Sequence, residues 1–320
     1  MSYAASIKDV RAAAKRIAPF AHRTPMLTCA TLDALAGRSL FFKCENLQKI
    51  GAFKFRGACN SVMKLTDDAA KCGVVTHSSG NHAQALALAA RLRGIEAHIV
   101  MPKNSSAVKI RAVEGYGAHV YLCEPNQAAR EGMAADVVAK TGGTLIPPYN
   151  HPDVIAGQGT LALEMLEDQP DLDAIIAPVG GGGMMSGVCI AAKGAKPSIR
   201  IFAAEPTGAD DAARSMKTGQ LQPQGKVNTI ADGLLTAMGD LTWPIVRDHV
   251  ERVITVTDEQ IIAAMRLVWE RMKIVIEPSA ATTVAVALSQ EFKSLDGMRN
   301  VGVVLSGGNV DLDKLPWVRT

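Results

Sequence analysis

Long apolar runs, paired cysteines, clustered basic residues and abundant aromatics are all missing from this chain. No apolar run reaches the roughly 20 residues that a membrane-spanning helix needs, so no membrane association is expected. The six cysteines, Cys29, Cys44, Cys59, Cys72, Cys123 and Cys189, contain no C-x-x-C pair. That excludes the common zinc and dithiol spacings, and the cysteines read as small core residues in a reducing compartment. Aromatics make up 4% of the chain, too few for a base-stacking platform. The net charge of +3 comes from scattered residues, which leaves no footprint for nucleic acid or an anionic membrane. Met1 to Ser6 carry no charged stretch leading into an apolar one, so no secretory signal is expected and a cytoplasmic location is. There is no linker of biased composition and no short-period repeat. At 320 residues, 48% hydrophobic and 20% charged, the chain is too apolar for disorder and long enough for a sizeable core in two lobes.

What the chain does have is glycine in one telling place. Gly180, Gly181, Gly182 and Gly183 stand between the apolar run Ala174 to Ala177 and the helix-forming stretch Val188 to Lys193. Strand, glycine loop and helix in that order put bare backbone N–H groups at the positive end of a helix dipole, a site for an anion and above all a phosphate. It is neither of the common nucleotide loops. The 20 residues after Gly183 hold no acid, where a dinucleotide fingerprint would place one near their end, and no Gly-Lys-Ser/Thr follows, as a Walker loop requires. The plainer alternative is a flexible turn.

The rest of the pattern alternates. Ser6 can cap a helix carrying Ile7, Val10, Ala14 and Ile17. Ser39 to Glu45 reads as a strand, and 46–57 as a polar loop entering a helix. Strands are expected at Gly73 to His77, Ala97 to Met101, His119 to Leu122 and Thr144 to Ile146, with helices at Ala83 to Leu92, Ala107 to Glu114 and Ala128 to Lys140 between them. That is a small parallel α/β sheet. Beyond Pro147-Pro148-Tyr149-Asn150 come a helix near Ala156 to Leu166 and strands at Asp173 to Val179, Arg200 to Glu205, Val253 to Val256 and Asn300 to Leu305. Helices are expected at Asp258 to Met272 and Ser279 to Ser289. The expectation is an α/β chain of two interleaved lobes, each a mainly parallel sheet flanked by helices. Residues 1–72 and 148–320 form the larger, and 73–147 a smaller, mobile one.

Three loops follow strands in this scheme: Ser78 to His82, Gly180 to Gly183, and Ser306 to Asn309. In parallel sheets such loops converge on one crevice. Lys54, flanked by Phe53 and Phe55, supplies a fourth element, because a lysine desolvated by aromatic neighbours keeps a usable amine. Alone it would be an ordinary snorkelling lysine. A lysine together with a phosphate cradle suggests pyridoxal 5′-phosphate, which needs both.

At this point a family resemblance is plain. Gly51-Ala52-Phe53-Lys54-Phe55-Arg56-Gly57, Ser78-Ser79-Gly80-Asn81-His82, Gly180 to Gly183 and Ser306-Gly307-Gly308-Asn309 occur in the order of the fold-type II pyridoxal-phosphate enzymes. The chain resembles most the serine racemase and serine/threonine dehydratase family, which also includes 3-hydroxyaspartate dehydratases. His22 to Pro25, Gly157-Gln158-Gly159-Thr160 and Ala231-Asp232-Gly233 extend the likeness over nearly the whole chain. The resemblance implies that Lys54 carries the cofactor as a Schiff base and takes the α-proton on one face. It implies that Gly180, Gly181, Gly182, Gly183 and Met184 hold the phosphate, with Gly233 nearby. Asn81 would bind the ring hydroxyl, Phe53 would pack near the ring, and Ser306 would meet the pyridine nitrogen. Ser78, Ser79, Gly80, Asn81 and His82 would bind the substrate carboxylate, with Asn150 close to the substrate. A hydroxyl partner for the nitrogen weakens the electron sink and favours prompt loss of a β-leaving group. Where simple dehydratases of the family commonly have alanine, this chain has Ser79, as the racemase-like branch does. There the hydroxyl faces the ring opposite the lysine and can exchange a proton with Cα. The alternative is a serine that only binds carboxylate.

The same branch places a divalent ion at positions matching Glu205, Ala209 and Asp211, a set of carboxylates and a carbonyl that suits Mg²⁺, with Ca²⁺ or Mn²⁺ as alternatives. The competing reading is an acidic cap on the helix starting near Asp210. The first functional expectation is a β-eliminating ammonia-lyase on serine, threonine or 3-hydroxyaspartate. The alternatives are serine racemase with side dehydratase activity and, in another class, a non-catalytic carrier of the cofactor. Arg130 matches a family arginine that can approach the site, and with His151 it is a candidate for pairing with a second substrate carboxylate. A homodimer is the family's usual state. The chain stops at Thr320, so feedback by isoleucine through a C-terminal effector domain is not expected. Nucleotide activation stays open, since Lys49 matches a nucleotide-contacting position but Ile50 replaces a polar one.

Overall fold

The computed structural model describes residues 3–78, 80–105 and 107–317, the side chain of Val108 excepted. Runs rich in Val, Ile and Ala that are buried on both faces make parallel strands, because helices must then cover both sides. The described residues form ten strands: β1 (Met26–Leu27), β2 (Ser39–Cys44), β3 (Val74–His77), β4 (Ala97–Pro102), β5 (His119–Cys123), β6 (Thr144–Leu145), β7 (Ala174–Pro178), β8 (Arg200–Pro206), β9 (Arg252–Val256) and β10 (Asn300–Leu305). They form a six-stranded sheet in the order β1-β2-β10-β7-β8-β9 and a four-stranded sheet in the order β5-β4-β3-β6. All pairings are parallel except β1 with β2. The two-residue antiparallel edge β1 lies outside every strand expected from the sequence.

Strand order reverses between β10 and β7 in the larger sheet and between β3 and β6 in the smaller. A crevice opens outside the carboxyl ends of strands at such reversals. The glycine loop follows β7 and Ser306 follows β10, while Ser78 follows β3, so all three expected loops sit at reversals. Apolar layers on either side of each sheet hold these ends in place. One links Val10, Ile155, Met185, Val188 and Ile201 beneath the helices, another links Phe42, Phe202, Ile254 and Val303, and a third joins Phe55 and Val62 to Leu86 and Ile99 of the smaller sheet. The helix Lys54–Lys64 packs both on Asn81–Arg93 and on Pro152–Asp168.

Boundaries differ from expectation where local chemistry was under-read. The helix after the glycine loop begins at Gly183, not beyond it, because Gly182 turns the chain with φ +83°. The helix expected from Ala156 starts at Pro152, where proline suits a first helical turn and His151 caps it. The cysteines are not uniformly core: all six are free and four are buried, but Cys29 is partly buried and Cys72 is exposed at the end of a short helix. No helix among the described residues is long and apolar enough to cross a membrane.

Candidate active site

Lys54 opens its helix directly after a tight turn. Ile50 adopts φ 59° and Gly51 φ 73°, an unusual conformation for a β-branched residue that its neighbours must impose. The neighbours are visible: Asn309 Nδ2 donates to Ile50 O at 2.7 Å, Gly308 N to Gly51 O at 2.9 Å, and Phe53 N to Ser306 O at 3.0 Å. The turn before Lys54 is thus laced to the loop after β10. The Lys54 amine donates to Pro148 O at 2.7 Å and lies 5.2 Å from the centre of the Phe53 ring. Burial pulls its pKa down to about 8, against an opposing pull from Glu277. Phe55 is not part of this. It turns into the apolar layer of the smaller sheet, with Lys49 over its ring at 5.7 Å. The expectation of a lysine flanked by two rings is corrected to one, because adjacent helical residues point about 100° apart.

The glycine loop is a cradle that side chains would fill. A Cβ on Gly181 would lie 2.4 Å from the Tyr149 ring, one on Gly183 would lie 2.8 Å from Tyr149 Cβ, and one on Gly182 would lie 2.8 Å from Thr242 Oγ1. Gly180 has the backbone of Leu234 at 3.0 Å from the same virtual atom. Gly182 caps the helix Gly183–Ala195 with no side chain, so the first-turn N–H groups, that of Met184 among them, lack a side-chain partner. Thr242 Oγ1 ties the loop down by donating to Gly181 O at 2.9 Å. The residues present therefore fit a phosphate at this helix start and an amine-reactive cofactor over Lys54.

Opposite stands the loop after β3. Gly80 N donates to Ser78 Oγ at 3.3 Å, and Ser79 lies outside the described residues. Asn81 Nδ2 donates to both carboxyl oxygens of Glu277 at 3.2 Å, and Asn81 Oδ1 accepts from Asn309 Nδ2 at 2.9 Å. Ser306 is 2% exposed at the end of β10. His82 is 1% exposed and its Nε2 meets Ile146 O at 3.0 Å. Burial, then the charge of Lys54, pulls its pKa to about 3, so it is a neutral residue anchoring the loop. Gly233 N donates to Ser279 Oγ at 2.9 Å.

Asn150 is committed elsewhere: Nδ2 donates to Asp240 at 2.6 Å and Oδ1 accepts from Leu241 N at 3.0 Å. His151 Nδ1 accepts from Asp153 N at 3.2 Å as the helix cap. The Arg130 Nε is buried with no hydrogen-bond partner among the described residues, and its charge is felt by His77 and Tyr149.

Glu205 and Asp211 are each 1% exposed. Glu205 accepts from Ala212 N at 2.7 Å and Ala213 N at 2.9 Å, so it does cap the helix Asp211–Thr218. Asp211 accepts from Met238 N at 3.3 Å. Burial pushes Glu205 up to about 8 and Asp211 up to about 6. Ala209 is buried in the short turn between them, and no cluster of three or more His, Cys, Asp or Glu able to hold a metal occurs among the described residues.

Two residues escaped the sequence reading. Glu277 precedes Pro278 at a helix start, a signal for a helix cap that says nothing of a buried partner for Asn81. Tyr149 stands beside a motif residue, and only the absence of room over Gly181 and Gly183 gives it a role.

Comparison with known proteins adds the following. The family model described as pyridoxal-phosphate dependent enzyme matches residues 17–307. A serine racemase of Dictyostelium discoideum is 51% identical over 312 residues, covering 97% of this chain and 96% of that protein. A beta-hydroxyaspartate dehydratase of Paracoccus denitrificans is 49% identical over 315 residues, covering 98% and 99%. The structure of maize serine racemase superposes with a TM-score of 0.96 at 51% identity, covering 97% of this chain and 95% of that one.

Proposed function

The chain belongs to the pyridoxal-phosphate dependent enzymes, and from that membership we propose that it is an amino-acid racemase that inverts serine at Cα and, as a second outcome at the same site, eliminates the β-hydroxyl. The isomerase, second among the readings of the sequence alone, thus comes first, since relatives about half identical over nearly their whole length carry that name.

The observation that carries the reading is Lys54. Its amine is held in the site by Pro148 O at 2.7 Å and burial pulls its pKa down, which suits a group that accepts a proton and returns one. When bound, pyridoxal phosphate supplies a carbonyl that engages amines and a ring that draws negative charge from Cα. The first-turn N–H groups after Gly182 would hold its phosphate, Asn81 its ring hydroxyl and Ser306 its nitrogen. Ser78 and Gly80 would orient the substrate carboxylate. Lys54 Nζ would take the α-proton from one face, and Ser79, in the role that the family resemblance implies, would supply a different proton from the other, the two exchanging roles in the reverse direction. If the β-hydroxyl instead left as water, taking up the proton removed from Cα, the 2-aminoacrylate released would hydrolyse with one water to a 2-oxo acid and ammonia.

The test is product analysis with L-serine. D-serine together with pyruvate is the expected result. Pyruvate with no D-serine, and no α-deuterium in the serine recovered from D₂O, would make the enzyme a lyase alone.

One observation favours a second substrate, 3-hydroxyaspartate. A buried arginine nitrogen without a partner is costly unless something pairs with it, and the substrate's distal carboxylate is the natural mate for Arg130. Arg130→Ala should then lower kcat/KM selectively on 3-hydroxyaspartate, by roughly tenfold or more, and spare serine. Equal losses on both substrates would refute the pairing.

The divalent ion belongs to the same proposal. Glu205 and Asp211 would hold it with the Ala209 carbonyl, and two buried carboxylates with only backbone N–H donors are undercompensated without it. We also propose that 73–147 moves as a unit over the rest and that the protein is a homodimer.

A further inference from the structure

Arg56 is two residues beyond Lys54, in the first turn of the same helix. At about 100° per residue the two side chains leave that turn in nearly opposite directions. Lys54 points to the site and Arg56 away from it. A cation in a first turn opposes the helix dipole, where local rules would put an acid. Such a break with local preference beside a reactive lysine calls for a reason.

The surroundings of Arg56 supply it. The side chain is fully buried and so is that of Glu45; Glu164 is 16% exposed. Arg56 grips Glu45 with Nε at 2.7 Å and Nη2 at 2.9 Å, and Glu164 with Nη1 at 2.7 Å and Nη2 at 2.8 Å. Thr160 Oγ1, His22 O and Thr24 Oγ1 accept further contacts at 3.2, 3.3 and 3.4 Å. Lys43 is buried too and donates to Glu164 at 2.6 Å and to Thr24 O at 2.7 Å. Two cations face two carboxylates, so the cluster is neutral. Although burial works the other way, Arg56 and Lys43 keep Glu164 below its ordinary value, so it stays a carboxylate.

This cage reaches three elements: the end of β2, the first turn bearing Lys54, and the middle of Pro152–Asp168. The same turn is pinned again by Gln158 Oε1, which accepts from Gly57 N at 3.1 Å, and by Gly157, whose missing Cβ would lie 2.7 Å from Arg56 O. On its other side the Ser306 carbonyl holds Phe53 N. A buried ion cluster contributes little net stability, but it tolerates one geometry. What that geometry fixes here is the rotation and height of a helix whose first residue is the reactive lysine.

We propose that Arg56, held by Glu45 and Glu164, is a positioning residue that sets the location of the Lys54 amine. The inference rests on Lys54 being the cofactor-bearing base. Arg56→Lys keeps the charge and loses the planar fork. Thr160→Val removes one acceptor of Arg56 and the hydroxyl's donation to Gly157 O at 2.7 Å, but no charge. Holoenzyme is assayed for kcat and KM, for the rate at which borohydride fixes the cofactor to Lys54, and for its urea midpoint. In folded Arg56→Lys, kcat should fall about 100-fold, as a displacement near 1 Å produces, with KM changed less than about threefold and fixation slowed. Thr160→Val should shift the same quantities the same way by roughly threefold, and it decides the matter if Arg56→Lys does not fold. Label on Lys54 with unchanged kcat and fixation in the folded variants overturns the inference alone. Label on another lysine in the unsubstituted protein overturns the functional reading and the inference with it.

Discussion

Replacing Glu277 by glutamine should make the protein more stable at pH 8 than the unsubstituted chain, and hardly alter it at pH 4.5. Glu277 is 3% exposed, and its carboxyl is raised from 4.5 to about 7, first by burial and then by Asp232, against the N–H donors of Asn81 and Asn309. A raised acid binds its proton more tightly in the folded state than in the unfolded one. Stability therefore falls as pH climbs from 4.5 to about 7 and is level above that. A difference of that size corresponds to about 3 kcal/mol. Glutamine is neutral throughout and lacks this slope. Urea unfolding of the cofactor-free protein at half-unit steps from pH 4.5 to 8 measures both curves. Their gap should open from near zero to about 3 kcal/mol in favour of Glu277→Gln. The cost of the substitution should fall on function: glutamine presents an amide to an Asn81 that donates to both oxygens, so cofactor affinity should drop above pH 7. Parallel stability curves between pH 4.5 and 7 would refute the raised pKa of Glu277.

Two further outcomes follow from other parts of the site. Gly181→Ala must displace the Tyr149 ring, so pyridoxal phosphate affinity, titrated by absorbance, should fall roughly tenfold or more; unchanged affinity would mean the glycines do not cradle the phosphate. If a divalent ion is held by Glu205 and Asp211, a chelator should lower the urea midpoint and activity together, by about 3 kcal/mol where the ion had been at a hundred times its dissociation constant. Asp211→Asn should abolish that response, and an unresponsive parent protein would leave Glu205 as a helix cap only.

Much of this architecture was readable because parallel strands buried on both faces announce themselves as continuous apolar runs. Asn300–Leu305 coincides with its expected strand, and Asp258–Met272 with its expected helix, whose Thr257 and Gln260 form a capping box. The places of Lys54, the four glycines and Ser306 were legible because they are local: a residue type at a helix start or just after a strand. Glu277 was not legible, because its meaning lies in Asn81, 196 positions away in sequence. The cage around Arg56 was hidden likewise, since Glu45 and Glu164 join it only when β2 and the helix Pro152–Asp168 come together. Asn150 looked like a site residue from its place in a motif, yet its amide is spent on Asp240 and Leu241. A motif preserves the order of residues and not the direction in which side chains leave the backbone.

The claim on which everything else depends is that the Lys54 amine bears the cofactor. Borohydride reduction of the purified holoenzyme, followed by peptide mapping, tests it directly. The account predicts a single pyridoxyl label on Lys54, and a Lys54→Ala protein that retains no label and no activity on serine. A label on any other lysine, or turnover of serine by Lys54→Ala, would contradict it.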